Sequence, residues 1–346
     1  MRSGLDYPHA DAPAPARSLE IAPGVHWLRM PLPFALDHIN LWMLADGDSF
    51  TIVDCGLGDV LTRELWEAYF SAANGVGTGG SGSVSRVVVT HNHPDHAGNA
   101  HWLTHRFGAD LWISLGEYFT AHATIESRAG FSAEHQLELL RRNGLEQEWL
   151  ARMKERGRNY RRGVPEFPRA YCRLMDGQVL TIGARPWRVI MGYGHSPEHA
   201  ALYCAALGVL ISGDMVLPRI TTNISVWTVE PHGNPLRLFL DSLDRYAALP
   251  RDTLVLPSHG LPFRGLHERI EQLKYHHRLR LDEVNEACAG PKSAAEIIPT
   301  LFRRPLDTFQ MFFAMGEAMA HLHFLHAEGR LARRAGADGV FRYAQA

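Results

Sequence analysis

The sequence predicts an α/β fold: two sheets packed together with helices outside, interrupted by a helical insert and followed by a helical module that ends in a short β-ribbon. Three observations carry this expectation. Short apolar or alternating runs bounded by turn residues occupy 25–30, 40–45 and 49–54 and read as antiparallel strands. A second set of strand-like runs, 178–182, 187–192, 200–204 and 209–212, returns after a long stretch of helical periodicity. Each set leads into a helix and a further strand, an order that suits packed sheets with outer helices.

Taken in order, residues 1–18 are rich in Pro and Ala and read as a flexible leader. The third strand ends in Asp54-Cys55-Gly56, a carboxylate before a glycine turn. Cys55 has no neighbouring base and reads as a small buried hydrophobe. Residues 61–73 have helical periodicity, and 74–85 form a Gly/Ser-rich surface loop with no G-K-[ST] to make it a phosphate cradle. A strand at 86–89 delivers the densest cluster of polar chemistry in the chain. A helix at 98–107 and a strand at 109–114 follow. The insert, 116–170, shows helical patterns at 118–128, 133–143 and 146–156. Between Arg141 and Arg169 it holds nine Lys/Arg against four Asp/Glu, either a solvated helix face or a cap that attracts an anionic substrate. A helix at 235–249 leads to a strand at 253–257. Beyond it come a helix at 267–288, helical segments at 293–301 and 307–328, and a hairpin made by 331–334 and 340–343. Helices followed by a small ribbon resemble a winged-helix module. His276 and His277, on a polar helix, are expected to face solvent. The domain reading is therefore a leader (1–18), a catalytic domain (19–265, insert 116–170) and a C-terminal domain (266–346).

Composition removes several classes. The 346 residues carry a formal net charge of −2, which argues against coating nucleic acid by bulk charge. The four cysteines are widely spaced with no C-x-x-C pair, which argues against a disulfide framework and a cysteine zinc knuckle and suits a reducing cytosol. The N-terminus lacks the pattern of a secretory signal, and no run approaches the length of a membrane span. A cytoplasmic location is the expectation.

The chemistry concentrates at His91, His93, Asp95 and His96, directly after the apolar run 87–89. Neutral imidazoles and a carboxylate are ligands that zinc and other first-row metals accept. Three further stretches place candidate ligands after strand-like runs: His195 through His199, Ser212-Gly213-Asp214, and Ser258-His259-Gly260. Alone, His259 reads as a solvated or core histidine, and Asp214 as a helix cap.

Together, and in this order, these motifs resemble the metallo-β-lactamase superfamily: a strand-end Asp, H-x-H-x-D-H, a G-H, a G-D and a final S-H, over roughly residues 20–265. Within it the chain is similar to the β-lactamase-like protein 2 and glyoxalase II-like group. His199 four residues after His195, His267 and Arg269 on the helix after His259, and the winged-helix-like tail support that grouping. The insert is longer than the group implies. The resemblance implies an αββα sandwich and a binuclear site. His91, His93 and His195 would hold one ion, Asp95, His96 and His259 a second, with Asp214 bridging. It implies two divalent ions, zinc first with iron and manganese as alternatives, and a metal-bridging hydroxide as the attacking group. Asp95 has two roles open, ligand and proton acceptor. Asp54 is expected behind the ligands, as partner to a ligand histidine. His199 is either a supporting or substrate residue, or a histidine held in a helix start. Tyr193, Thr222, Asn223 and Trp227 flank ligands in sequence and are candidate pocket lining.

The implied function is metal-dependent hydrolysis, first of an ester or thioester on a small-molecule or acyl-carrier substrate. A metal-dependent ribonuclease or phosphodiesterase is the alternative, with RNA less favoured. A mononuclear iron sulfur dioxygenase and a true β-lactamase stand behind these. No membrane partner is expected, and a homodimer is left open.

Overall fold

In the computed structural model the chain is described over residues 4–71, 83–156 and 160–346. Most of the Gly/Ser-rich loop expected at 74–85 lies outside these residues; its last three belong to a strand. Seven strands run side by side in sequence order: β1 (Leu19–Ala22), β2 (Val25–Pro31), β3 (His38–Asp46), β4 (Ser49–Val53), β5 (Ser83–Val88), β6 (Asp110–Ser114) and β7 (Cys172–Leu174). The first four pair antiparallel and the last three add in parallel. The second sheet has the order β12-β11-β10-β9-β8, built from β8 (Val179–Ile182), β9 (Arg185–Gly192), β10 (His199–Cys204), β11 (Val209–Gly213) and β12 (Leu254–Pro257). β11 and β12 are parallel, joined by a crossover through α8 (Pro235–Ala247).

The two sheets face each other across one apolar layer. Trp27 and Trp42 stack in it at 6.2 Å, with Val53, Val88, Trp187, Val189, Leu202 and Ile211 around them. Residues alternating with these on the first sheet, such as Leu41, Ile52 and Val87, point outward. They meet Trp66 of α1 (Val60–Ser71), Leu103 of α3 (Ala100–Phe107) and Ala121 of α4 (Leu115–Ile125). On the other side, Ile190, Ala201, Leu210 and Val255 meet α8 and the C-terminal helices α9 (Leu266–Ala287), α10 (Ala294–Leu301) and α11 (Thr308–Ala327). Ser293 with Glu296, and Asp307 with Gln310, form capping boxes that start α10 and α11. Strands β13 (Leu331–Ala335) and β14 (Phe341–Gln345) form the expected hairpin. Between β6 and β7 lie α4 and the shorter helices α5 (Ala133–Arg142), α6 (Gln147–Arg156) and α7 (Tyr160–Gly163). No helix among the described residues is long and apolar enough to cross a membrane.

Several expectations change. The helix read at 98–107 forms as α3 from Ala100, two residues later than expected, and a separate short helix, α2 (Pro94–Ala97), carries the metal motif ahead of Gly98 and Asn99. The leader is not loose throughout. Asp6 and Arg264 exchange backbone hydrogen bonds of 3.1 and 2.8 Å, and Leu5 and Tyr7 pack on the C-terminal core. His277 does not face solvent. It is buried against Phe239 and His321, and both ring nitrogens lack a hydrogen-bond partner among the described residues.

That burial has a consequence. Desolvation, with neighbouring His321 and His276, pushes the His277 imidazole down to about 3. Burial likewise holds His321 and His323 down at about 4. The unfolded chain therefore binds more protons than the folded one below about pH 6.5, and stability falls as pH drops from there toward about 4. His277→Leu is expected to narrow the stability gap between about pH 7.5 and pH 5 by about 2 kcal/mol. Urea unfolding of both proteins at the two pH values measures this. An unchanged gap would show that His277 is not held neutral in the fold.

Candidate metal centre

The polar cluster assembles because each contributing segment leaves its strand at the same end of the sandwich. Asp54 follows β4 in a left-handed backbone conformation (φ 62°), which Asp tolerates better than most residues. Its Oδ1 accepts from the Thr90 N–H at 2.8 Å. Its Oδ2 accepts from Thr90 Oγ1 at 2.9 Å and from His96 Nδ1 at 2.8 Å. The loop after β5 carries His91 and His93, and α2 carries Asp95 and His96. His195 lies between β9 and β10, after Gly194 (φ +96°), where a Cβ would fall 2.2 Å from the Pro235 carbonyl oxygen. Asp214 follows β11, and His259 follows β12.

Two groups of ligand-type atoms result, each within 4.8 Å of one another: His91, His93, His195 and Asp214, and then Asp95, His96 and His259. Asp214 joins them. Its Oδ2 is 3.4 Å from His195 Nε2, while its Oδ1 is 3.5 Å from His96 Nε2 and 3.4 Å from His259 Nε2. Asp95 Oδ2 stands 3.7 Å from His96 Nε2 and 3.5 Å from His259 Nε2.

Hydrogen bonds behind the cluster fix which nitrogen faces inward. His195 Nδ1 donates to the Asn223 carbonyl at 2.8 Å, and His259 Nδ1 to the His38 carbonyl at 2.8 Å. With His96 Nδ1 on Asp54, three imidazoles turn their Nε2 atoms toward the centre. Thr90 gives its one hydroxyl proton to Asp54 and accepts from His91 Nδ1 at 3.0 Å. His91 Nε2 and His195 Nε2 then face each other at 3.2 Å. His96 Nε2 and Asp214 Oδ1 are buried with no hydrogen-bond partner among the described residues. Facing lone pairs and unsatisfied buried atoms are what a cation would resolve, and the donor set fits divalent metals.

The electrostatics agree. Burial pushes His91 and His93 well below the usual histidine range, helped by their neighbouring imidazoles, so both are neutral. Burial also pushes His96 down, but the carboxylates of Asp54, Asp95 and Asp214 outweigh it and hold the ring up at about 10. Asp214 is driven up by burial and held well below the carboxylate range by His259 and His96. Without metal, the second group keeps imidazolium against carboxylate.

The remaining sequence candidates take different places. His199 is fully buried, and its Nε2 accepts the Asp214 N–H at 3.1 Å. Burial, with His195, lowers this ring to about 3. Gly213 (φ +52°) makes room for it: a Cβ there would fall 2.2 Å from His199 Nε2. Thr222 and Asn223 hydrogen-bond candidate ligands. The Thr222 hydroxyl donates to the Asp214 carbonyl, and the Asn223 carbonyl orients His195. Tyr193 packs against the layer between the sheets, its N–H donating to Ser242 Oγ at 2.9 Å. Trp227 stands at the open side, 6.5 Å from the His93 ring.

Sequence reasoning missed a buried tie from the insert. The Glu117 carboxylate accepts from the Asn92 N–H at 2.9 Å, from the Asn92 side-chain amide, and from the Glu198 N–H at 2.8 Å. It fastens the His93 loop to the His195 loop. Tyr160 adds a 2.5 Å hydrogen bond to the Asn92 carbonyl. A lone carboxylate in an apolar first turn was the available signal, but its partners lie 25 and 81 residues away. On the C-terminal side, Glu317 of α11 hydrogen-bonds the Asn223 side chain, and the Val226 N–H donates to the Gly316 carbonyl at 3.2 Å.

The chain is similar to known proteins. The crystal structure of a beta-lactamase domain protein from Burkholderia ambifaria is 50% identical, with a TM-score of 0.91 over 99% of this chain and 98% of that one. "Probable metallo-hydrolase YqjP" of Bacillus subtilis (strain 168) is 25% identical over 316 residues, 87% of this chain and 92% of its own. A shorter match, 34% identical over 86 residues, covers 25% of this chain and 31% of the hydroxyacylglutathione hydrolase of Rhodobacter capsulatus. Residues 281–346 match the family described as "Metallo-beta-lactamase-like, C-terminal domain". Residues 35–259, which hold every ligand candidate, match the family described as "Metallo-beta-lactamase superfamily", and this chain belongs to it.

Proposed function

We propose that the protein is a binuclear metal-dependent hydrolase acting on an ester or thioester of a small-molecule or acyl-carrier substrate, as in the glyoxalase II-like branch of the superfamily. The observation that carries this reading is Asp214, whose two oxygens face the two ligand groups separately. His91, His93, His195 and Asp214 would hold one divalent ion, and Asp95, His96, His259 and Asp214 a second, zinc by first choice. When bound, the pair supplies Lewis acidity and a nucleophile at neutral pH.

The chain's own residues do the rest. Asp54, Asn223 and the His38 carbonyl keep the ligand imidazoles aimed inward. His199 and Thr222 hold Asp214 through its backbone, leaving its carboxylate free to bridge. Asp95, 19% exposed in its side chain, is the carboxylate at the open side. With Oδ2 turned to His96 and His259, its Oδ1 is placed to hold the proton that the leaving thiolate or alkoxide takes up. The partial match to a hydroxyacylglutathione hydrolase supports a thioester. Against RNA stand the net charge of −2 and the pairing of Arg141, Arg152 and Arg161 with Glu138, Glu148 and Glu126 on the insert surface.

The test measures metal content, then turnover of a thioester, a lactone, a phosphodiester and a short RNA by the loaded protein. About two equivalents of metal and a preference for the thioester are expected. His93→Ala is expected to lower kcat/KM by about a hundredfold or more. Activity retained after metal removal would overturn the mechanism. Preference for the phosphodiester or RNA would overturn the ester reading and leave metal-dependent hydrolysis standing. Turnover of none of the four by loaded protein would overturn the hydrolase reading, and an iron colour would redirect it to oxygen chemistry.

A further inference from the structure

The open side of the metal centre continues into an arc of aromatic rings. Trp227 stands 6.5 Å from His93 and 6.3 Å from Phe312. Phe312 meets Phe313 at 5.5 Å, and Phe313 meets Phe309 at 4.8 Å. Phe309 stacks on Phe34 at 6.0 Å with the ring planes 20° apart. Phe309, Phe312 and Phe313 share one face of α11 because residues three and four apart are helix neighbours. Phe34 comes from the far side, on the loop between β2 and β3. That loop leads into His38, whose carbonyl orients His259. One end of the arc therefore touches the first ligand group, and the other is anchored beside the second.

These rings are not core. Phe34 is 46% and Phe309 39% exposed, and Phe312, Phe313 and Trp227 are half-buried. An apolar surface of this kind costs stability unless something covers it in use, and contiguous exposed apolar patches mark binding sites. Its continuity with His93 indicates the occupant. A group lying on the arc ends at the ligand cluster, next to His93. The four phenyl rings offer no charge and no donor to a polar acyl group, leaving the Trp227 indole N–H at the metal end as the one donor of the five rings, and together they offer an aliphatic chain contact along its length.

We propose that Trp227, Phe312, Phe313, Phe309 and Phe34 form the acyl-binding wall of the enzyme, and that its substrates are esters or thioesters of medium to long alkyl acids. This rests on the hydrolase reading above and adds the side of the scissile bond that the protein recognises: the acyl chain lies on α11, and the leaving group departs past Asp95.

The test uses the metal-loaded full chain and acetyl, hexanoyl and decanoyl thioesters of one small thiol, with decanoate binding followed by calorimetry. The kcat/KM is expected to rise from acetyl to decanoyl by at least about tenfold, because each methylene laid on the wall leaves water. Phe34→Ala with Phe309→Ala, both at exposed positions, is expected to cut that preference by about fivefold and to weaken decanoate binding similarly. Phe119→Ala, an exposed aromatic elsewhere on α4, serves as the control and keeps both. A flat chain-length profile in the parent, or a double variant with preference and decanoate binding unchanged, would overturn the proposal. So would a double variant that only dissociates a dimer, which would make the patch an interface between copies. Decanoate binding lost in the double variant, with no thioester turned over by loaded parent, would instead sink the hydrolase reading and leave the apolar site standing.

Discussion

Asp214→Asn is expected to leave the protein folded but unable to hold either metal ion tightly, with hydrolysis lowered by at least about a thousandfold. The substitution keeps the shape of the side chain. It also keeps both backbone contacts, the N–H given to His199 and the carbonyl that accepts from Thr222. What it removes is the negative charge between the two ligand groups. An amide has one carbonyl oxygen, so it cannot present an anionic oxygen to His195 on one side and to His96 and His259 on the other. The metal-free state responds too. His96 is held up at about 10 by three carboxylates against burial, so at neutral pH metal must displace a proton from it. Metal affinity of the parent should therefore rise with pH by about tenfold per unit for each proton released, below about pH 10. Losing the Asp214 charge weakens that hold, so the variant should release fewer protons as well as bind less metal. Metal analysis after dialysis, titration at two pH values and thermal melting with and without added zinc check these points. Two retained equivalents of metal, or activity within tenfold of the parent, would show that Asp214 does not bridge.

The candidate metal centre was legible in the sequence because its candidate ligands follow a local rule. Each sits within a few residues of the end of a strand whose apolar character is visible, so His91, His195, Asp214 and His259 are read as a set from their order, although His259 and Asp214 taken alone point elsewhere. Asp54 was legible for the same reason. The outward and inward faces of β2, β3 and β4 were readable from alternation, and the helices of the C-terminal module from their period. What escaped depends on tertiary partners. β7 has three residues and exists because β6 offers a parallel edge. His277 looked solvated on a polar helix, and only the arrival of α8 and α11 buries it. Thr222 and Asn223 were read as pocket lining, and their hydrogen bonds to Asp214 and His195 were not foreseen. Their use of main-chain carbonyls and a hydroxyl to hold ligands has no residue-type signature. The helix expected at 98–107 has the right periodicity throughout. It starts only at Ala100, separated from α2 at Gly98, where two other segments of chain cross.

That crossing supports the second large expectation: Gly98→Ala is expected to destabilise the fold by about 3 kcal/mol or more and to weaken metal binding. Local preference argues the opposite way. Gly98 has helical backbone angles (φ −58°, ψ −40°), so alanine would favour the conformation by about 1 kcal/mol if nothing touched it. A Cβ there, however, would lie 2.2 Å from the Gly58 nitrogen, 2.4 Å from the Gly163 oxygen and 2.5 Å from the Pro94 oxygen. The first two atoms are donor and acceptor of one 2.8 Å hydrogen bond, which ties the loop after β4 to the insert. Backbone cannot rotate aside as a flexible side chain can, so the methyl must separate Gly58 from Gly163 or displace α2. Displacing α2 moves Asp95 and His96, which is how a steric change outside the ligand set reaches the metal. Gly290→Ala supplies the comparison, because a Cβ at Gly290 meets nothing within 4 Å and is expected to change stability by less than about 0.5 kcal/mol. Urea unfolding and metal analysis of both variants decide the matter. Equal stability in the two, with full metal in Gly98→Ala, would mean that the insert does not clamp the metal helix.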